Sequence, residues 1–304
     1  MRRRVTLLLL TAILLAATPG CSIKKWAAGK VGDALASGGT TYASDDDPEF
    51  VGEATPFALK TIEGLLETTP NHKGLLLAAS SGFAQYAYVY LASEADYVQD
   101  QDVARATHLR ERAMKMYRRA LGYGMRGLEV DHPGLRKALD ADAHAALAGM
   151  KKSDVPLLYW TAAAWSLAIA TDKTDAAMAV NLPVAESLMH RALELDPGYG
   201  DGVIHDYYIS YEGGRAGAAG GSIDKARAEL KAALDLAKGK RAAPYLAFAE
   251  SVSVGTQNRK EFTEMIDAAL AVNPDAVPEY RLANLVAQRR ARWLLAKIDD
   301  LFLE

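Results

Sequence analysis

The residues best able to do chemistry in this 304-residue chain are few and poorly grouped. Asp140, Asp142 and His144 carry metal-ligating side chains close together. Alternate residues of a helix do not share a face, so this set reads as a solvated charged surface. His205 and Asp206 have the types of an acid/base pair. Adjacent helix residues point apart, and no nucleophile accompanies them. The glycine-rich run from Gly213 to Gly221 lacks the G-x-x-x-x-G-K-[ST] pattern and follows no strand signal, which excludes a phosphate cradle. No H-E-x-x-H occurs. The residues therefore point to no catalytic group, no metal site and no cofactor. What remains is the chemistry of contact. Tyr86 and Tyr90 recur with Phe83 and Tyr97 at helical spacing, Tyr159, Trp160 and Trp165 cluster after a helix start, and Tyr208 and Tyr211 follow Tyr207 just before the glycine run. Tyrosine and tryptophan offer broad apolar area with one polar handle, which suits a partner or an apolar ligand. The same spacing also serves the buried face of a helix, and both readings stand at this point.

These aromatics lie in a chain that reads as helix from about residue 53 onward. Ala, Leu, Arg and Glu dominate there, Gly and Pro fall at segment ends, and no period-2 strand is evident. Apolar residues repeat at offsets 0, +4, +7 and sometimes +12. The sets are Ala58/Ile62/Leu65/Pro70, Ala113/Tyr117/Ala120, Ala185/Met189/Ala192/Pro197, Ala226/Leu230/Ala233 and Phe262/Ile266/Ala269/Pro274. Such offsets mark the second helix of a tetratricopeptide unit, with small residues admitting a close partner helix. The starts are irregularly spaced, leaving room for a further helix pair between 121 and 165. The expected fold is all-α, an irregular tetratricopeptide-like α-solenoid over residues 53–304. Its last element is one long capping helix, Pro278 to Phe302, with a seam at Ala287, Ala291, Leu294, Ile298 and Leu301.

The N-terminus reads differently. Arg2, Arg3 and Arg4 precede the apolar run Val5 to Ala17, then Thr18-Pro19-Gly20 and Cys21, the single cysteine. That run is shorter than the roughly 20 residues of a membrane-spanning helix, so residues 1–20 read as a signal peptide. The segment resembles a bacterial lipoprotein signal, with Cys21 as the acylated residue. An ordinary secretory signal with an incidental cysteine is the alternative. Residues 21–52 read as a lipid-proximal arm: Lys24, Lys25 and Trp26 suit an interface, and Ser37 to Thr41 and Asp45-Asp46-Asp47-Pro48 have linker composition. No later uncharged run of spanning length is expected. Ser22, rather than Asp, after the cysteine leans toward the outer membrane. Half of the residues are apolar, enough for a sizeable core, and 35 basic against 38 acidic side chains give no reason to expect nucleic acid.

Three motifs carry a family resemblance. They are Val155-Pro156-Leu157-Leu158-Tyr159-Trp160-Thr161-Ala162-Ala163-Ala164-Trp165; Ala192-Leu193-Glu194-Leu195-Asp196-Pro197 through His205 and Tyr207-Tyr208 to Gly220-Gly221 and Lys225-Ala226; and Arg281-Leu282-Ala283-Asn284 with Gln288, Ala291 and Leu294-Leu295. With the lipoprotein-like signal they resemble the T component of tripartite ATP-independent periplasmic (TRAP) transporters, the TatT family. The resemblance implies a periplasm-facing lipoprotein, held by lipid on Cys21, that docks the transporter's solute-binding protein and holds or passes a small apolar ligand. It also implies homo-oligomers, a trimer among them, with a central passage. The expected binding residues are Tyr86, Tyr90, Tyr159, Trp160, Trp165, His205, Tyr208 and Tyr211, His205 entering through the second motif. The competing reading is a tetratricopeptide lipoprotein scaffold for envelope assembly.

Overall fold

The computed structural model describes residues 21–36, 40–172, 174–215, 217 and 220–303. The expected signal segment, residues 1–20, and the side chains of Cys21, Lys24, Lys25 and Trp26 lie outside the described residues. All regular elements among the described residues are helical. In chain order they are α1 (Cys21–Ala36), α2 (Pro48–Thr68), α3 (Lys73–Tyr86), a π turn (Ala87–Ala92) running into α4 (Ser93–Val98), and α5 (Val103–Asp131). Two short helices follow, α6 (Leu135–Ala141) and α7 (Ala143–Leu147), in the interval left open by the repeat spacing. Then come α8 (Val155–Thr171), α9 (Ala176–Ala179), α10 (Leu182–Leu195), α11 (Val203–Gly213), α12 (Ile223–Ala237) and α13 (Ala243–Phe248) with a second π turn (Ala249–Ser253). The chain ends with α14 (Arg259–Ala271), α15 (Arg281–Ala296) and α16 (Ile298–Leu301).

Local chemistry accounts for the starts. Asp47 accepts a hydrogen bond from the Phe50 amide at 3.0 Å with Pro48 in the first turn of α2, so the acidic run expected as linker is a helix cap. Asp102, Ser222 and Asn258 cap α5, α12 and α14 in the same way. Within the segment expected as an arm, α1 packs on α2 and α3, and Nε2 of His72 reaches Asp33 at 3.2 Å. His72 Nδ1 accepts from the Leu75 amide, so Nε2 carries the hydrogen and donates to the Asp33 carboxylate.

Helices pack largely on their successors: α2 on α3, α3 on α5, α5 on α8, α8 on α10, α11 on α12 and α13, and α13 on α14. The repeated apolar triplets Ala113/Tyr117/Ala120, Ala185/Met189/Ala192 and Phe262/Ile266/Ala269 are fully buried, as are Ala226 and Ala233. The first triplet is out of register. Leu59, Ile62 and Leu66 face inward on α2, while Ala58 and Leu65 sit at the margin. The span Lys73–Val98 has the length and hydropathy of a membrane span, and Gly74 to Ser93 carries no charge, contrary to expectation. Burial of Leu75, Leu76, Ala79 and Phe83 against neighbouring helices accounts for that composition. The expected single C-terminal helix is also divided. A 3₁₀ turn occupies Pro278–Tyr280, and Lys297, at φ −107° and ψ 17°, ends α15 before α16. Ile298 and Leu301 still pack on the same core as Ala291 and Leu294.

The α5–α8 contact is close enough to require glycine. A Cβ at Gly124 would overlap Thr161 Oγ1, and one at Gly127 would stand 2.6 Å from Leu157 Cδ2, whereas Gly122 on the same helix faces open space. Gly124→Ala should therefore destabilise the protein by about 1–2 kcal/mol despite its better helix propensity, and Gly122→Ala should stabilise it by about 0.5–1 kcal/mol, read by urea unfolding.

Asp154, 2% exposed, joins three elements by accepting from Lys73 Nζ at 3.0 Å, His132 Nε2 at 3.1 Å and the Lys151 amide at 3.0 Å. Burial pushes its carboxyl up, but the bonds from Lys151, Lys73 and His132 outweigh this and hold it below its ordinary 3.8. A depressed carboxyl stabilises the fold above its unfolded pKa and loses that contribution as pH falls through the folded one. Asp154→Ala should cost about 2–3 kcal/mol at pH 7, with the gap to the parent chain narrowing under acid below pH 3.8, followed by thermal melts across pH.

Candidate functional site

The expected binding aromatics fall into three groups. On α11, turns of 3.6 residues place Tyr207, Tyr208 and Tyr211 on one side, with ring centroids 5.2 to 5.9 Å apart. Arg215 lies 3.5 Å over the Tyr211 ring, and its guanidinium is 3.7 Å from Glu186 of α10. Burial raises the Tyr208 and Tyr211 phenols, helped at Tyr208 by the neighbouring tyrosines and at Tyr211 by Glu186. All three rings stay half-buried. Tyr207 and Tyr208 rest on the core formed by α5, α8 and α10. The glycine run begins just beyond. Its ends are joined by the Ser222 amide donating to the Glu212 carbonyl, while Ala216, Ala218 and Ala219 lie outside the described residues.

The second group stands at the start of α8. Tyr159 meets Trp160 edge-on at 5.0 Å and Tyr199 at 5.5 Å, and burial raises its phenol to about 12. Buried Arg241 lies near, held by the Asp201 carbonyl at 3.0 Å and by the Asp206 carboxylate. Trp165 is a core residue, 9% exposed, with its indole N–H lacking a protein partner. It borders a pocket of about 130 Å³ lined by Met125, Leu139 and Val184. His205 is equally buried and closes a 2.6 Å bond from Nδ1 to Glu229, joining α11 to α12. A groove of about 430 Å³ between α2 and α5, lined by Lys60, Glu63, Tyr123 and Arg126, lies apart from these aromatics. Lys60 and Glu63 within it are already paired at 2.6 Å and Arg126 donates to the Pro70 carbonyl, so its size alone is no sign of a site.

The third group is split by the first π turn. Tyr86 and Tyr90 lie 5.6 Å apart, and Tyr90 packs against Gly52 of α2 with its phenol raised to about 12 by burial and then by Glu49. Phe83 turns to Tyr123 at 5.8 Å. Tyr97 instead meets Trp293 of α15 at 5.3 Å. A π turn adds a residue to the turn and rotates the face beyond it, which scatters a stripe that a regular helix would keep aligned.

That rotation exposes a cluster which helical spacing did not indicate. Arg290 of α15 donates to Glu250 of the second π turn at 2.8 Å and to Asp96 of α4 at 2.8 Å, and it lies 4.8 Å over Trp293. Arg289 bridges Glu94 and Glu49, and Lys297 pairs with Asp100. The Leu282 amide and Arg281 donate to the carbonyls of Ala43 and Ser44 at 2.9 and 3.0 Å. The last long helix is thus stitched to the first part of the chain, and three of its arginines, with Lys297 just beyond it, make internal contacts. Tyr88, on the first π turn, is 39% exposed, yet burial raises its phenol and Glu250, Arg290, Tyr97 and Asp96 all act on it. The ring is thus partly open to water while charges from three elements act on its phenol. Partners nearly 200 residues apart left no local signal. Arg290→Ala should leave Glu250 without its cation, with Asp96 still paired to Arg110. Faster amide exchange is expected in α4 and α15, with α8 and α10 unchanged.

Chemically, these groups offer aromatic area and hydrogen-bonding phenols. No cluster of three His, Cys, Asp or Glu side chains placed to hold a metal occurs among the described residues. A sequence model of the family described as TRAP transporter T-component matches residues 44–302. An uncharacterized protein of Treponema pallidum (strain Nichols) is 28% identical over 267 residues, covering 86% of this chain and 83% of that protein. The matched span takes in every described helix from α2 onward and all three aromatic groups. The family is a transporter accessory component, associated with the other TRAP proteins and with the cell envelope, and is not a known enzyme family. The chain therefore belongs to the TRAP transporter T-component family.

Proposed function

We propose that this T component is a lipoprotein, acylated on Cys21 and facing the periplasm, outer membrane slightly favoured, that docks the solute-binding protein of its transporter. Its half-buried tyrosines would hold or pass a small apolar ligand, and its helices would form an irregular tetratricopeptide-like solenoid. The observation that carries the binding role is the α11 group: Tyr207, Tyr208 and Tyr211 gathered side by side, partly open, with Arg215 over the outermost ring. A purely structural tyrosine would more often be closed over, and half-open aromatic clusters are the usual anchors of recognition. Helices packed each on the next, with the spaced alanines buried between them, support the repeat reading. The family match does not favour the envelope-assembly scaffold.

The test is calorimetric titration of the full chain with the purified solute-binding protein of the same transporter. A complex is expected, and Tyr211→Ala, which removes a ring not packed on any core cluster, should weaken it about tenfold without lowering the melting temperature. Absence of a complex at tens of micromolar, or loss of affinity only in step with unfolding, would remove the docking role.

A further inference from the structure

Among the described residues, the α2 helix keeps one side without a partner. Phe50 and Phe57 are 62% and 80% exposed, far more than a large aromatic normally leaves in water. With Ala54 and Thr61 they step by four, three and four residues, the a/d spacing of a two-stranded helical seam. Glu53 and Lys60 flank the seam on its outer edge, seven residues apart and both exposed. The opposite edge belongs to the protein body, where Val51, Leu59 and Ile62 are buried.

We propose that this seam pairs with the same seam of a second copy, antiparallel and related by a two-fold axis. The complementarity is in the residues. Antiparallel packing sets a positions against d positions, which brings Phe57 onto Ala54 of the second copy and Phe50 onto its Thr61, a large side chain over a small one at each level. The same register places Glu53 across from Lys60 of the second copy, and two-fold symmetry repeats the pair with the opposite sense. A face with two bulky knobs, two small sites and two opposite charges is therefore its own complement. The pairing is distinct from a trimeric ring and does not rest on the transporter role.

Cross-linking of the full-length chain in producing cells tests it. Ala54→Cys puts a thiol close to the two-fold axis, and a short bis-maleimide should convert that variant to a dimer-sized product beyond what Cys21 of the parent chain yields. Adding Glu53→Lys alone, or Lys60→Glu alone, sets like charges across the seam and should cut the product about tenfold. Carrying both swaps together restores opposite charges and should recover it. These positions are on the surface, so helical content by circular dichroism should match the parent in every variant. No product above the parent level, equal product in the single swaps, or failure of the double swap to recover it would overturn the proposal.

Discussion

Close approach of helices is the constraint on which this molecule depends. A single helix cannot hide its apolar face from water, and in the absence of sheet among the described residues the only cover is another helix. Cover is effective when backbones come near, which requires small side chains at the crossing points. Ala113, Ala120, Ala185, Ala192, Ala226, Ala233, Ala269 and Ala291 are all fully buried, and Gly124 and Gly127 mark where α5 meets α8 too tightly for any Cβ. Large residues then fill the spaces between the crossings, Tyr117, Met189 and Phe262 among them. The alanine-rich composition is therefore a packing requirement as much as a helix preference.

Buried polar groups finish what apolar packing leaves exposed. Gln288 donates to the carbonyls of Ala269, Leu270 and Val272, which end α14 and have no partner within their own helix. Asn284 accepts from the Ala242 amide and donates to the Lys240 carbonyl, fixing the entry to α13. Two members of the third sequence motif are thus backbone clamps. Asp154 does the same between α3, α5 and α8. These side chains are specific because an orphaned carbonyl or amide in such a place would cost more than the contact contributes.

The join between the chain's two ends is of another kind. Tyr97 and Trp293 supply an aromatic contact, but most of its partners are charges: Arg289 with Glu49 and Glu94, Arg290 with Asp96 and Glu250, Lys297 with Asp100. The apolar core of α13 to α16 draws no residue from α2 to α5. Burial raises Glu250 even with Arg290 against it, while Arg289, Glu49 and Asp100 of the same join stay open to solvent. Tyr88 beside it is open to solvent at the same time. The two ends of the chain are therefore joined mainly by ion pairs, with Tyr88 partly open beside them.

Much of the helical order was legible in the residues. The triplets at 113, 185 and 262 identified buried faces because a helix crossing imposes a fixed spacing of small and large groups, and spacing is a local property. The set at 58 slipped by one position since Ala58 and Leu59 are both apolar neighbours, and only contact with α3 chooses between them. The acidic run at 45–47 looked like linker because a cap and a loop use the same residue types. The aromatic stripe from Phe83 to Tyr97 dissolved because a π turn leaves no compositional mark. By itself, then, the sequence determined an all-helical chain, the positions of most buried faces and the family to which it belongs, since periodicity and motifs are written along the chain. Tertiary structure alone decided that Arg290 reaches Asp96 and Glu250, that Tyr88 stays partly open beside them, and that Trp165 and His205 are buried while Tyr208 and Tyr211 stay half open. Those outcomes depend on groups distant along the chain becoming neighbours, and no window of residues contains that distance.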